Sequence, residues 1–380
     1  MSDGFKHLGV FSALVDAARQ QHPLFPHAAL GAETQRRIRE VLGFCEGPET
    51  PQDARVDSRW ERDGVAGEEI SWSVGYGPRT QAWVLKPAGA TGRLPGVVAL
   101  HDHGGFKFYG KEKIAEGSEP LPILDAYRAH YYGGRAYANE LARAGFVVLV
   151  HDTFLWGSRR FPLETMPKPI RELVAASESN WRSDTTLPRD IAEYNAAAGH
   201  HEHVVEKYCT LLGTSMAGVV SHEDRIALNY LCSRPDVASE HVGCVGLSGG
   251  GNRAALLLAT HERITAAVIV GLMSTYEGLL DHNVATHTWM FFPPGWSRYG
   301  DWPDLAACRA PMPLLVQYDT EDDLFTPEGM QAAHERISAH YRAGGNSEAY
   351  TGQFYPGPHK FDLVMQQAAF GWLEQQLQSR

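Results

Sequence analysis

The chain has 380 residues, 43% hydrophobic and 21% charged, proportions of an ordinary globular protein that exclude disorder and low complexity. Asp and Glu number 45 against 34 Lys and Arg, a net charge of −11. No overall electrostatic pull toward nucleic acid or anionic lipid is therefore expected.

The apolar runs Phe146–Val150 and Ala266–Met273 fall far short of the roughly 18 residues a membrane helix needs. The N-terminal segment lacks a basic start, an unbroken apolar stretch and a small-residue cleavage site. Cys45, Cys209, Cys232, Cys244 and Cys308 are scattered and without CxxC spacing. A cytoplasmic protein with reduced thiols is expected.

In chain order, residues 1–64 read as an N-terminal helical extension, too short to bury a core of its own. Residues 65–380 read as one domain. Glu68–Val74 and Thr80–Lys86 predict two antiparallel strands around the turn Gly75-Tyr76-Gly77-Pro78. Strands then follow at Gly96–His101, Gly145–His151, His241–Leu247, Ile264–Val270, Pro313–Tyr318 and Glu348–Tyr355. Several are continuous Val/Ile/Leu runs, the pattern of strands covered on both faces. Helix-length segments separate them: Ala136–Ala144, Glu223–Ser233, Asn252–His261, Pro327–Ala343 and Phe361–Gln378. The alternation predicts an α/β fold, a mostly parallel sheet with helices on both faces. Residues 154–221 contain no convincing strand and read as a helical cap insertion.

The sharpest motif is Gly246-Leu247-Ser248-Gly249-Gly250, between a predicted strand and a predicted helix. That is the setting of a nucleophile elbow: a serine on a tight turn, lifted above the sheet edge, with glycines letting backbone pass closely. A plain glycine-rich loop or a phosphate cradle is the bland reading. Gly213-Thr214-Ser215-Met216-Ala217 imitates a second serine motif, but no strand leads to it. A small-residue contact suits Ser215 better.

A serine needs an imidazole to take its proton and a carboxylate to orient that imidazole. On such sheets the chain order is serine, acid, histidine. His282, His287, His334, His340 and His359 follow Ser248. His359 alone sits in a turn-rich loop, Tyr355-Pro356-Gly357-Pro358-His359, after the last strand. The acid belongs to the loop after Pro313–Tyr318, where Asp319, Glu321, Asp322 and Asp323 compete. Asp322 is favoured, with Asp319 next.

The loop Asp102-His103-Gly104-Gly105 after the strand Gly96–His101 is expected to offer one backbone donor to an oxyanion, and Gly249 the other. The His103 amide is favoured, with Gly104 the alternative. His101 with His103, and Gly199-His200-His201-Glu202-His203, also suggest metal ligands. The second lacks HExxH spacing, so a polar loop in the insertion is the stronger reading. Trp156 and the aromatic stretch around Trp289 are candidates to line a substrate cleft, with packing of the insertion against the core as the alternative.

With these motifs the sequence resembles serine α/β-hydrolases of the dienelactone hydrolase / acetyl xylan esterase-like group. The resemblance rests on Leu100–Gly105, Tyr230–Arg253, Pro311–Phe325 and Phe354–Phe361. It implies a Ser248–His359–Asp322 triad hydrolysing a carboxylic ester, a small acyl (acetyl) group foremost, with neither metal nor organic cofactor. In such relatives the strand before the acid usually ends in glycine, with the aspartate three residues on. Here Asp319 stands at the glycine position, which agrees with Asp322 as acid. A lactone or peptide-bond hydrolase with the same triad, or a non-catalytic binding protein, are the alternatives. The expected partner is a small-molecule ester, not nucleic acid or membrane, and homo-oligomer formation is left open.

Overall fold

The computed structural model describes residues 5–44, 47–176, 187–281 and 284–378; Cys45 and His282 lie outside them. The apolar runs pair into one nine-stranded sheet of order β1-β2-β3-β5-β4-β6-β7-β8-β9. The strands are β1 (Gln52–Arg62), β2 (Val65–Ser73), β3 (Thr80–Pro87), β4 (Leu94–Leu100) and β5 (Val147–His151). They continue with β6 (Val237–Leu247), β7 (Ile264–Val270), β8 (Leu314–Asp319) and β9 (Tyr350–Tyr355). The first three pair antiparallel, and β3 meets β5 antiparallel; from β5 through β4 to β9 every pairing is parallel.

Side chains alternate between two buried layers. Val98 and Leu100 of β4 enter one core, Val97 and Ala99 the other. In β7, Ala267 and Ile269 face the first while Val268 and Val270 face the second. The helices Met216–Ser233, Gly249–Thr260 and Pro327–Ala343 cover the first face; Tyr137–Arg143 and Leu363–Gln378 cover the second. Each fully buried Val, Leu or Ile contributes about 1.5–3 kcal/mol before the entropy cost is counted.

Three details differ from the sequence reading. The segment taken as a helical extension to residue 64 holds helices at Leu14–Gln21 and Ala32–Leu42 but then the strand β1. Nearly all of β1 is exposed and it is held by backbone pairing to β2, so it carries no apolar alternation to read. Its charges suit an edge strand, which must resist pairing with other chains. Secondly, the helix Met216–Ser233 begins inside the supposed insertion, which therefore ends near residue 215. Ser215 caps it, its hydroxyl accepting the Gly218 N–H at 3.0 Å. Thirdly, the run Gly199–His203 is no loop: it lies within the long helix Arg189–Leu211, whose buried face includes Ala197, Ala198, His201 and Glu202.

The strand order reverses between β4 and β6. The chain leaves β4 for β5 on one side and later returns to β6 on the other. Leu100 pairs with Gly246, so the two strands end level. A crevice opens beyond strand ends at such a reversal, the usual place for a ligand on an open α/β sheet.

Candidate active site

At that reversal β6 ends and Ser248 turns the chain into the helix Gly249–Thr260 with φ 57° and ψ −122°. A non-glycine residue there is strained by about 1–3 kcal/mol, held by its surroundings. Ser248 N–H donates to Val270 O at 2.8 Å, and Ser248 O accepts from Asn252 N at 2.9 Å. The flanking glycines make the turn sterically possible. A Cβ on Gly246 would lie 2.4 Å from the Gly250 carbonyl carbon, and one on Gly250 would lie 2.2 Å from Leu100 O.

His359 stands in the loop after β9, with Nδ1 2.6 Å from Asp322 Oδ2. Asp322 is buried, and its Oδ1 accepts the Leu324 N–H at 2.9 Å. An Nδ1–H donated to a carboxylate leaves Nε2 as the ring's acceptor. Burial alone would lower the imidazole pKa. The hydrogen bond and charge of Asp322 outweigh it, helped by Asp319 and Asp102, and His359 is raised above the ordinary histidine value. Ser248, Gly249, His103 and His359 line a single cavity of about 180 Å³, which Leu272 and Leu324 also line.

The third wall is the loop after β4. Gly249 packs so closely on it that a Cβ there would lie 2.6 Å from His103 N. As the first residue of its helix, Gly249 has an N–H without an intrahelical acceptor. Buried charges pin the loop from behind. Asp102 accepts from Lys113 Nζ at 3.3 Å and from the Tyr127 and Tyr132 hydroxyls. Burial would raise the Asp102 carboxyl, but Lys113 and the tyrosines hold it below its ordinary value. Burial lowers Lys113 in turn to about 8, against the pull of Asp102.

His103 Nε2 reaches Glu202 Oε2 at 2.8 Å, and Nδ1 accepts the Gly105 N–H at 3.1 Å. Lys107 Nζ also bonds Glu202. Despite its burial, Glu202 is held well below the usual carboxylate range by His103 and Lys107.

Trp156, a candidate either to line the cleft or to pack the insertion against the core, is buried, its indole N–H donating to His103 O at 3.3 Å and its ring meeting the His103 ring edge-on at 5.2 Å. It follows β5 in the chain and supports the loop carrying His103. Trp289 is 37% exposed and donates to His203 Nδ1 at 2.9 Å, outside the cavity lining that its neighbour Thr288 joins. Lys107, Lys113 and the contact of Glu202 with His103 escaped the sequence reading. A lysine carries no local signal of its own burial.

Among the described residues, two groups bring three potential metal-ligand atoms within 4.8 Å of one another: His27–Asp304–His340 and Asp319–Asp322–His359. Asp304 is already engaged by Arg336, His340 and the Ala28 and Asp301 amides. The His200–His203 run is in neither group. A larger cleft, about 970 Å³, lies beside Tyr76, Phe108, Phe154, Arg160 and Tyr194 and includes none of Ser248, Asp322 or His359.

No protein-family model matches the chain. The "Putative hydrolase YtaP" of Bacillus subtilis (strain 168) is 23% identical over 322 residues, 84% of this chain and 90% of that protein. The structure described as a "putative acetyl xylan esterase" from Bacteroides fragilis NCTC 9343 superposes with a TM-score of 0.62 at 16% identity, covering 85% of this chain and 73% of that one. A glucuronoyl esterase from Solibacter usitatus gives 0.60 at 13% identity, covering 94% and 99%.

The chain has the α/β-hydrolase fold. At the strand-to-helix turn beside the reversal stands Ser248. Among the described residues, no helix is long and apolar enough to cross a membrane.

Proposed function

We propose that this α/β-hydrolase is a serine esterase that cleaves a small-acyl carboxylic ester through an acyl-enzyme. One observation carries the reading: a serine held at positive φ shares a cavity with an imidazole whose other nitrogen is bonded to a buried carboxylate. The esterases that share the fold support it.

Ser248 Oγ attacks the ester carbonyl carbon while its proton passes to His359 Nε2. Asp322 holds the ring and stabilises the imidazolium. The carbonyl oxygen, now an oxyanion, takes hydrogen bonds from the His103 and Gly249 amides, each donor contributing roughly 3–4 kcal/mol to the transition state. The carbon–oxygen bond to the alcohol then breaks, and the imidazolium proton goes to the leaving alkoxide. Water, deprotonated by His359, attacks the acyl-enzyme, and the carboxylate departs with Ser248 restored. No step calls for a metal or an organic cofactor. A cavity of about 180 Å³ suits an acetyl-sized acyl group rather than a long chain.

The partner is then a small-molecule ester, with neither nucleic acid nor membrane involved. The free thiols of Cys209, Cys232, Cys244 and Cys308 fit a cytoplasmic setting.

A panel of p-nitrophenyl esters from acetyl to dodecanoyl, with lactones and aminoacyl amides beside them, tests the reading. Turnover should be highest on the shortest esters, and a fluorophosphonate should label Ser248. S248A should lose label and about 10⁴-fold or more of kcat. Unchanged turnover in S248A overturns the triad; preference for amides or lactones overturns the substrate class.

A further inference from the structure

Asp319, the last residue of β8, is 1% exposed. Its Oδ2 accepts the backbone N–H of Lys360, the residue after His359, at 3.1 Å. Its Oδ1 is buried and has no hydrogen-bond partner among the described residues. A carboxylate oxygen of each of Asp319 and Asp322 and a ring nitrogen of His359 lie within 4.8 Å of one another. Asp319 Oδ2 and His359 Cε1 both crowd the bare face of Gly271, where a Cβ would lie 3.1 Å from the first and 3.0 Å from the second. The imidazole therefore has two carboxylates beside it, one bonded to Nδ1 and one close by with a free oxygen.

An unpaired buried carboxyl oxygen costs free energy, and a simple strand end would not need one. The sequence resemblance places glycine at this position, so the side chain is not a requirement of the turn.

We propose that Asp319 is an auxiliary acid of the His359 base: a positioning residue that adds charge beside the imidazolium and takes over its orientation when Asp322 is removed. The inference rests on the esterase reading above.

The groups facing Asp319 are Asp322 from its own loop and His359 and Lys360 from the loop after β9; Asp102, from the loop after β4, acts on His359 as well. The Lys360 ammonium is itself paired with Asp362 at 2.8 Å. Burial is the main force raising the Asp319 carboxyl, to about 7, with Asp322 pushing the same way and the Lys360 amide and His359 opposing. Near neutrality Asp319 passes from acid to carboxylate. The negative charge then favours the imidazolium that forms when Ser248 gives up its proton. The carboxyls and the imidazole titrate as a coupled set, so the pH profile reports the set rather than one residue.

The experiment compares wild type, D319N, D322N and D319N/D322N in p-nitrophenyl acetate turnover from pH 5 to 9, with S248A as the background. D319N should move the rising limb of kcat/KM to lower pH and lose about threefold or more of kcat at pH 8.5. D322N should lose less than the roughly 10⁴-fold expected when a triad acid is replaced, and the double variant should lose a further tenfold or more. Thermal melts confirm folding, and D319S replaces D319N should the asparagine variant not fold. A D319N profile superimposable on wild type, with D322N and the double variant equal, overturns the proposal while leaving the esterase intact. Absence of Ser248-dependent turnover in wild type overturns the esterase reading and this one with it.

Discussion

Glu202, midway along the helix Arg189–Leu211, accepts a hydrogen bond from His103 Nε2 at 2.8 Å. The same carboxylate holds Lys107, the Thr288 hydroxyl at 3.2 Å and the Trp289 N–H at 3.4 Å. One buried acid thus ties three segments together around the cavity. The segments carrying His103 and Thr288 line it; the helix behind them anchors the carboxylate.

Removing that acid should be costly in a way that replacing the pair is not. E202A leaves the Lys107 ammonium buried and unpaired, and loss of one partner of a buried pair typically costs roughly 3–5 kcal/mol. Urea unfolding should register it. The variant K107M/E202L should recover most of the stability, since two apolar groups replace two charges. It should not recover kcat, because His103 still lacks its anchor; a double variant with normal kcat would remove the positioning role.

The Asp319 carboxyl makes stability fall as pH rises. Its pKa goes from 3.8 in the unfolded chain to about 7 in the fold, chiefly through burial. Between those values the folded state holds a proton that the unfolded state has released. Stability is therefore greatest below the lower value and declines through the upper one, with an upper bound of roughly 4 kcal/mol lost. D319N removes the titration. Its melting temperature relative to wild type should rise between pH 4 and pH 8, and a difference independent of pH would contradict the assignment.

Ser215 offers a control on the second serine motif. As the cap of the helix Met216–Ser233 its hydroxyl holds one backbone amide. S215A should cost about 1 kcal/mol in unfolding free energy. Ester turnover should stay at the wild-type level, and a loss approaching that of S248A would return Ser215 to candidacy.

Much of this was legible in the sequence because its signals are local. A continuous apolar run marks a strand covered on both faces, and Gly246 and Gly250 on either side of Ser248 mark a turn where backbone passes backbone. The strand β1 was not legible, since most of its residues are exposed and its place in the sheet comes from pairing with β2. The run His200–His203 was misread as a loop because its buried face is made of alanines and polar side chains rather than a clear apolar stripe.

By itself, then, the sequence determined the order of the strands β2 to β9, the serine turn, and a loop in which an acid had to be found. It favoured Asp322 but could not settle the choice among Asp319, Glu321, Asp322 and Asp323, which lie within five residues and carry the same charge. Tertiary structure decided that Asp322 reaches the imidazole while Asp319 turns toward the Lys360 amide. It also decided that Trp156 lies under the His103 loop and that Glu202 closes on it from a distant helix. Those outcomes depend on where strand ends and helix faces meet across the sheet, and burial, which sets the strength of each charge, exists only once they have met.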